Sequence, residues 1–251
     1  MIDGVLAEEP NVGLAVLARY GHFTAMQVRQ GRVRGLDLHL ERLDRATREL
    51  FGRPVDRRLV VDSIRTVLDR PDASVRVYVF EVEKVHVFAT VAPPVEVATA
   101  PQVVRSARYQ RFLPHIKHMG GFPQHYLGLE AEREGFDEVL LTTDDGVISE
   151  GSITNLGCFD GQRVIWPQAP MLHGISMRLM EAALTKAGVP YGSRVLRVAD
   201  LREFEAVFLT NSHGVVPVGS VDGVPLRLDE AAMARLIGLF EEMPWDEIHH
   251  A

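Results

Sequence analysis

Asp137-Glu-Val-Leu-Leu-Thr-Thr143 runs into Asp144-Asp145-Gly146, and the chain continues as Val147-Ile-Ser-Glu150-Gly-Ser-Ile-Thr-Asn155-Leu-Gly-Cys-Phe159. The first seven residues are rich in apolar residues and Thr, which predicts a strand. Asp-Asp-Gly then supplies turn chemistry, and Val147–Ser149 reads as the return strand. A further strand is predicted over Ile153–Phe159, turned at Asp160-Gly161 into Arg163–Trp166. Glu150 therefore falls at a strand end, followed at once by glycine and small polar residues. A segment of that kind lets backbone approach a ligand closely while a carboxylate points at it.

Outward from this stretch, helices alternate with strands. Gln124–Glu134 reads as a helix ended by Gly135, Val103–Tyr109 as a strand, and Ile175–Ala187 as a helix capped by Gly188. Ala206–Thr210 and Val215–Ser220 are the last predicted strands and Asp229–Glu242 the last helix. In the first third, Gly21–Val33 reads as a hairpin turning at Gln30-Gly31. Leu40, Leu43, Ala46 and Leu50 recur at helical spacing within Leu38–Phe51, and Val60, Ile64 and Val67 do so within Leu59–Leu68. Ser74–Glu81 and Val85–Val91 are predicted strands. Three prolines in the ten residues Ala92–Pro101 suit a domain boundary. The expectation is an α+β protein with a small N-terminal α+β domain over 1–95 and a larger one over 96–251.

The 251 residues carry a net charge of −7, which argues against a general nucleic-acid binder. Met1-Ile2-Asp3-Gly4 lacks the pattern of a signal peptide, and apolar runs such as Val12–Ala18 are too short for a membrane span. A single cysteine, Cys158, rules out a disulfide within the chain and fits a reducing compartment. Of the 27 basic residues only Lys84, Lys117 and Lys186 are lysines. Arginine replaces lysine readily on a surface but not where an uncharged amine must act as nucleophile. Lys84 in a charged turn and Lys186 in a last helical turn read as solvated.

Lys117 lies in Phe112-Leu-Pro-His-Ile-Lys-His-Met-Gly-Gly121, with apolar neighbours Leu113, Ile116 and Met119 that predict partial burial. Burial favours the uncharged amine of a lysine. The alternative is a lysine whose stem merely lies over a helix start. Three more clusters accompany it: His39-Leu-Glu-Arg42-Leu43, where the arginine is a surface cation or an anion ligand; Leu172-His-Gly-Ile-Ser176, a glycine turn opening a helix whose free N–H groups suit a phosphate; and Thr210-Asn-Ser-His-Gly214, a polar loop between strands. His115 and His118 have no nearby carboxylate or thiol, so no metal is expected, and His249-His250 reads as a loose terminus.

Taken in order, these segments resemble the class IV, or fold-type IV, pyridoxal-phosphate enzymes. The group includes branched-chain and D-amino-acid aminotransferases and 4-amino-4-deoxychorismate lyases. The resemblance runs from about Gly21 to Gly223 and includes the 33-residue separation of Lys117 from Glu150. It implies a two-domain fold with a pseudo-barrel C-terminal domain that carries the cofactor lysine. It further implies that Lys117 bonds the cofactor and that Glu150 pairs with its pyridine nitrogen. Arg42, Ile175, Ser176 and Ser212 or Thr210 would hold its phosphate, and Arg76 would face the substrate. A cytoplasmic homodimer acting on amino acids and oxo acids, bound to neither nucleic acid nor membrane, is the accompanying expectation. Phe122 and Ser74 depart from the pattern, standing where branched-chain members place tyrosines. Three functions follow: an aminotransferase first, an aminodeoxychorismate lyase second, and a fold relative binding another ligand without this chemistry third.

Overall fold

The structure, a computed structural model, describes residues 20–248. The expectations for Met1–Gly4, Val12–Ala18 and His249-His250 lie outside the described residues. The chain divides into two compact units: one takes the chain to Pro94 with Ile116–Gly120 and the chain from Asp246, and the other takes Val95–His115 and Gly121–Trp245.

In the first unit, β1 (Gly21–Arg29) and β2 (Arg32–Val33) form the expected hairpin. Gln30 and Gly31 both have positive φ, 51° and 73°, as a two-residue turn matching strand twist requires. Helices α1 (Leu36–Phe51) and α2 (Arg57–Val67) follow, then β3 (Ala73–Val82) and β4 (Lys84–Ala92). With β14 (Asp246–Glu247) the strands make a five-stranded sheet in the order β14-β2-β1-β3-β4. Alternate strand residues Met26, Val28, Val75, Val77, Val79, Val87 and Val91 pack on Leu40, Leu43, Val60 and Ile64 of the helices. Each completely buried aliphatic chain in this layer contributes roughly 1.5–3 kcal/mol.

The second unit is built on β5 (Gln102–Arg108), β6 (Glu138–Thr142), β7 (Ile148–Gly151), β8 (Asn155–Phe159), β9 (Val164–Pro167), β10 (Tyr191–Arg194), β11 (Ala206–Asn211), β12 (Gly214–Val221) and β13 (Val224–Pro225). These form one mixed, curled half-barrel sheet in the order β10-β9-β8-β11-β12-β5-β6-β7, with β13 paired to β12. Helices α3 (Phe122–Arg133), α4 (Ile175–Lys186) and α5 (Glu230–Glu241) complete the unit. Strands β6, β7, β8 and β9 are buried along their whole length without alternation; apolar residues dominate β6, β8 and β9, whereas β7 buries Ser149 and Glu150. No helix among the described residues is long and apolar enough to cross a membrane.

One placement differs from the expectation. The sequence puts Lys117 in the larger C-terminal domain, yet Ile116–Gly120 groups with the first unit. The cause is backbone pairing: Phe23 N–H donates to Lys117 O at 2.8 Å and Met119 N–H to Gly21 O at 2.9 Å, with His22 opposite His118. These three residues act as a short extra strand on β1, which neither local propensity nor periodicity announces.

Candidate active site

Within the first unit, that pairing sets Lys117 opposite Phe23. Lys117 is half-buried, and its Nζ stands 5.0 Å from the centre of the Phe23 ring. Lys84 and Lys186 are exposed, as expected. Helix α1 presents His39 and Arg42, one turn apart on one face and both buried. Thr24 Oγ1 and His39 Nδ1 lie 2.6 Å apart, so β1 fixes the turn of α1 that carries Arg42. Burial, with the nearby Arg42 charge added, pushes His39 down to about pKa 3.

His22 is held in a related way. Thr47 Oγ1 donates to Leu43 O at 2.7 Å, so at 3.0 Å it accepts from His22 Nε2. That assigns the proton to Nε2 and leaves Nδ1 a buried acceptor with no partner among the described residues. Burial lowers His22 to about pKa 4, so both histidines are neutral near pH 7. Arg76 is exposed on β3, opposite Ala25 and Thr90, on the sheet face turned away from the helices.

Within the second unit, Glu150 ends β7 and is buried. Arg111 Nη1 donates to Glu150 Oε1 at 3.2 Å, and the Leu172 N–H donates to Oε2 at 3.2 Å. Arg111 is buried too, and is itself held by Gln124 Oε1 and Pro114 O. A buried carboxylate needs a compensating charge, and Arg111 supplies it. Sequence reasoning missed this arginine; the only signal was that a buried Glu150 demands a cation from somewhere nearby.

The peptide that touches Glu150 also opens α4. Leu172 O accepts from Asn155 Nδ2 at 2.7 Å, and Gly174 then serves as the N-cap without any side-chain cap. A Cβ at Gly174 would stand 2.1 Å from Asn155 Oδ1, so only glycine allows this close approach. Gly174 offers no side chain to cap the first N–H groups of the twelve-residue helix that starts at Ile175. Ser176 Oγ donates to Asn211 O at 2.6 Å, which joins this helix start to the 210–212 segment. Asn211 Oδ1 in turn accepts from His213 N–H and shapes the turn that carries half-buried Ser212. Thr210 Oγ1 is completely buried, with no hydrogen-bond partner among the described residues. The helix start, the carboxylate braced by arginine and the segment that carries the Thr210 hydroxyl are joined by direct hydrogen bonds within one unit.

The sequence profile of class IV aminotransferases matches residues 21–221. The chain belongs to the class IV aminotransferase family. No curated protein sequence matches it significantly. Among solved structures, the fold is similar to that of a candidate 4-amino-4-deoxychorismate lyase from Legionella pneumophila, at 17% identity and TM-score 0.81, covering 92% of this chain and 93% of that one. It is also similar to a hypothetical aminotransferase from Mycobacterium tuberculosis in its PLP-bound form, at 20% identity and TM-score 0.79, covering 96% and 94%. Branched-chain amino acid aminotransferase from Escherichia coli is similar at 18% identity and TM-score 0.79, covering 94% and 92%. These likenesses establish a fold-type IV architecture for this class IV chain.

The small polar residues after Glu150 have a use the sequence did not suggest. Ser152 Oγ, Ser152 N–H and Thr154 Oγ1 all donate to the carboxylate of Glu138 on the neighbouring strand. A Cβ at Gly151 would fall 2.0 Å from Thr154 Oγ1 and 3.1 Å from Glu138 Oε2. This glycine clears space for that internal clamp rather than for a ligand.

Proposed function

We propose that this class IV protein is a pyridoxal-5′-phosphate-dependent aminotransferase that moves an amino group between a small amino acid and a 2-oxo acid. One observation carries the reading: the peptide 172–176 bonds the Glu150 carboxylate at one end and at the other opens α4, whose Ser176 Oγ bonds Asn211 O, next in sequence to a Thr210 hydroxyl with no partner among the described residues. A phosphorylated pyridine presents those two demands, an acceptor for a ring N–H and a cradle for a dianion. The residues present fit the group.

When bound, the cofactor supplies an electron sink for the pair released as a substrate Cα bond breaks. Glu150, braced by Arg111, would hold the proton on the ring nitrogen. Backbone N–H groups of Ile175 and Ser176, with the hydroxyls of Thr210 and Ser212, would bind phosphate, and on this reading Arg42 would be a further cation for it. Lys117 Nζ would anchor the cofactor and then carry a proton to and from the substrate Cα. Arg76 would receive a substrate carboxylate. The reading carries with it a cytoplasmic homodimer.

The test is optical and chemical. Protein incubated with PLP becomes yellow, and borohydride reduction fixes the label at Lys117, as peptide mass mapping reads directly. A protein that takes up no PLP, or a Lys117→Ala variant that still turns over, overturns the proposal. Pyruvate released from aminodeoxychorismate without any oxo acid would move the activity to the lyase, a reading the Lys117-His118 and Thr210-Asn211 pairs favour.

A further inference from the structure

Helix α3 packs on β6 through Leu127 and Ala131, one turn apart, against Val139 and Leu141. Gln124 and Gly128 recur at the spacing that puts them on the face of Ala131. A Cβ at Gly128 would stand 3.2 Å from Ser152 Oγ, so the helix runs close to the turn after Glu150. There Gln124 Nε2 donates to Ser152 O at 3.2 Å, and Gln124 Oε1 accepts from Arg111 Nε at 3.0 Å. Ser152 O can only accept and Arg111 Nε–H can only donate, so the two bonds fix which way the amide faces. Arg111 Nη1 in turn donates to Pro114 O at 2.9 Å and to Glu150 Oε1 at 3.2 Å. Gly151 links Glu150 to Ser152 covalently, and the hydrogen bonds therefore close a ring through Glu150, Arg111, Gln124 and Ser152.

An arginine head rides on a long flexible stem, and a bond at Nε restrains the plane of the guanidinium in a way that a bond at Nη alone does not. Gln124 supplies that bond, so it governs how the fork lies against Glu150. The placement has a chemical consequence. A buried carboxylate facing a ring nitrogen can share a proton in two ways. Burial alone favours the neutral pair, with the proton on the acid. A cation beside the acid favours the charged pair, with the proton on the nitrogen. We propose that Gln124 is a positioning residue: it aims Arg111 at Glu150, so that the proton shared between Glu150 and the cofactor's ring nitrogen stays on the nitrogen. This rests on the reading of Glu150 as the partner of that nitrogen.

Two NMR readouts test it. In the cofactor-free protein, the Arg111 Nε–H signal is assigned by its loss in Arg111→Lys. Its exchange with water should be at least about ten-fold faster in Gln124→Met, which keeps the length of the side chain and loses both hydrogen bonds. In protein loaded with PLP carrying 15N at the ring nitrogen, the wild-type signal should lie in the protonated range near neutral pH. The ratio of protonated to unprotonated ring should fall about ten-fold in Gln124→Met, and equally in Arg111→Lys, whose point charge has no fork to aim. In Gln124→Met kcat should fall in step, with KM for the amino acid within about two-fold of wild type. Unchanged exchange in Gln124→Met, or a wild-type ring ratio in either variant, overturns the proposal. If the wild type takes up no PLP, the cofactor reading falls, and the exchange rate alone then decides whether Gln124 holds the guanidinium.

Discussion

Glu138 and Glu150 occupy adjacent antiparallel strands of one unit, and both are buried, yet they are compensated in opposite ways. Among the described residues Glu138 receives only neutral donors, from Val139, Ser152 and Thr154, all within its own hairpin and the turn that follows it. Glu150 is braced by a guanidinium from a loop 39 residues earlier and by the N–H of Leu172, 22 residues later. The first arrangement closes on itself and locks a turn. The second gathers three distant segments around one carboxylate, at the peptide that opens α4. Burial of an acid therefore marks nothing by itself; what matters is whether its partners come from the local turn or converge from across the unit.

Arg111→Met tests that difference hardest. Removing the guanidinium leaves Glu150 charged and buried, so stability should drop by about 3–5 kcal/mol. Urea unfolding measures it. An effect under about 1 kcal/mol would place Glu150 in the same class as Glu138. Next in size, on the proposed roles, is Glu150→Gln: holoenzyme turnover should fall by about 10²–10³-fold, the scale seen when a preorganised electrostatic partner is removed. Glu138→Gln should destabilise by about 1–3 kcal/mol yet leave turnover per folded molecule near the wild-type value. Steady-state rates corrected for folded fraction separate the two, and equal losses would erase the comparison.

Much of the frame was legible in the sequence because it is local. Leu40, Leu43, Ala46 and Leu50 announce α1, and the Gln30-Gly31 turn fixes the hairpin register. Site residues with a local signature, Glu150 before Gly151 and Gly174 before a helix, could be singled out in the same way. What the sequence hid are partnerships across long separations. Lys117 pairs with Phe23, 94 residues earlier, and β14 pairs with β2 from the far end of the chain. Arg111 sits in an irregular loop with no period to mark it. The use of the Ser152 and Thr154 hydroxyls is hidden as well, because Glu138, the acid that accepts from them, looks in sequence like any strand-start glutamate.

The first unit offers a third test, through charge rather than pairing. His22 and His39 bind protons more weakly folded than unfolded, their values falling from 6.5 to about 4 and about 3. Between pH 6.5 and about pH 4 the unfolded chain thus holds more protons, and stability falls as pH drops through that window. The loss should be on the order of 2–3 kcal/mol per histidine by pH 4.5, about 5 kcal/mol for the two, read as a lower urea midpoint. His39→Gln should flatten the slope. A slope unchanged in that variant would assign the acid sensitivity to the second unit's carboxylates instead.

Ser152→Ala is the smallest of these changes and probes the local side of the comparison. Its Oγ lies 2.5 Å from Glu138 Oε1, a charge-assisted bond, but the Ser152 and Val139 N–H groups remain to hold that oxygen, and Thr154 Oγ1 holds the other. The expected cost is therefore about 1.5 kcal/mol, at the low end for a hydrogen bond to a charged group. Thr154→Val should cost a similar amount, and the pair together less than the sum if the remaining donors tighten around the carboxylate. Turnover should stay within about two-fold, because the clamp closes on its own turn. A ten-fold loss of turnover with intact stability would mean that the turn following Glu150 transmits Glu138's hydrogen bonds to the α4 cradle, and the two carboxylates would then belong to one network.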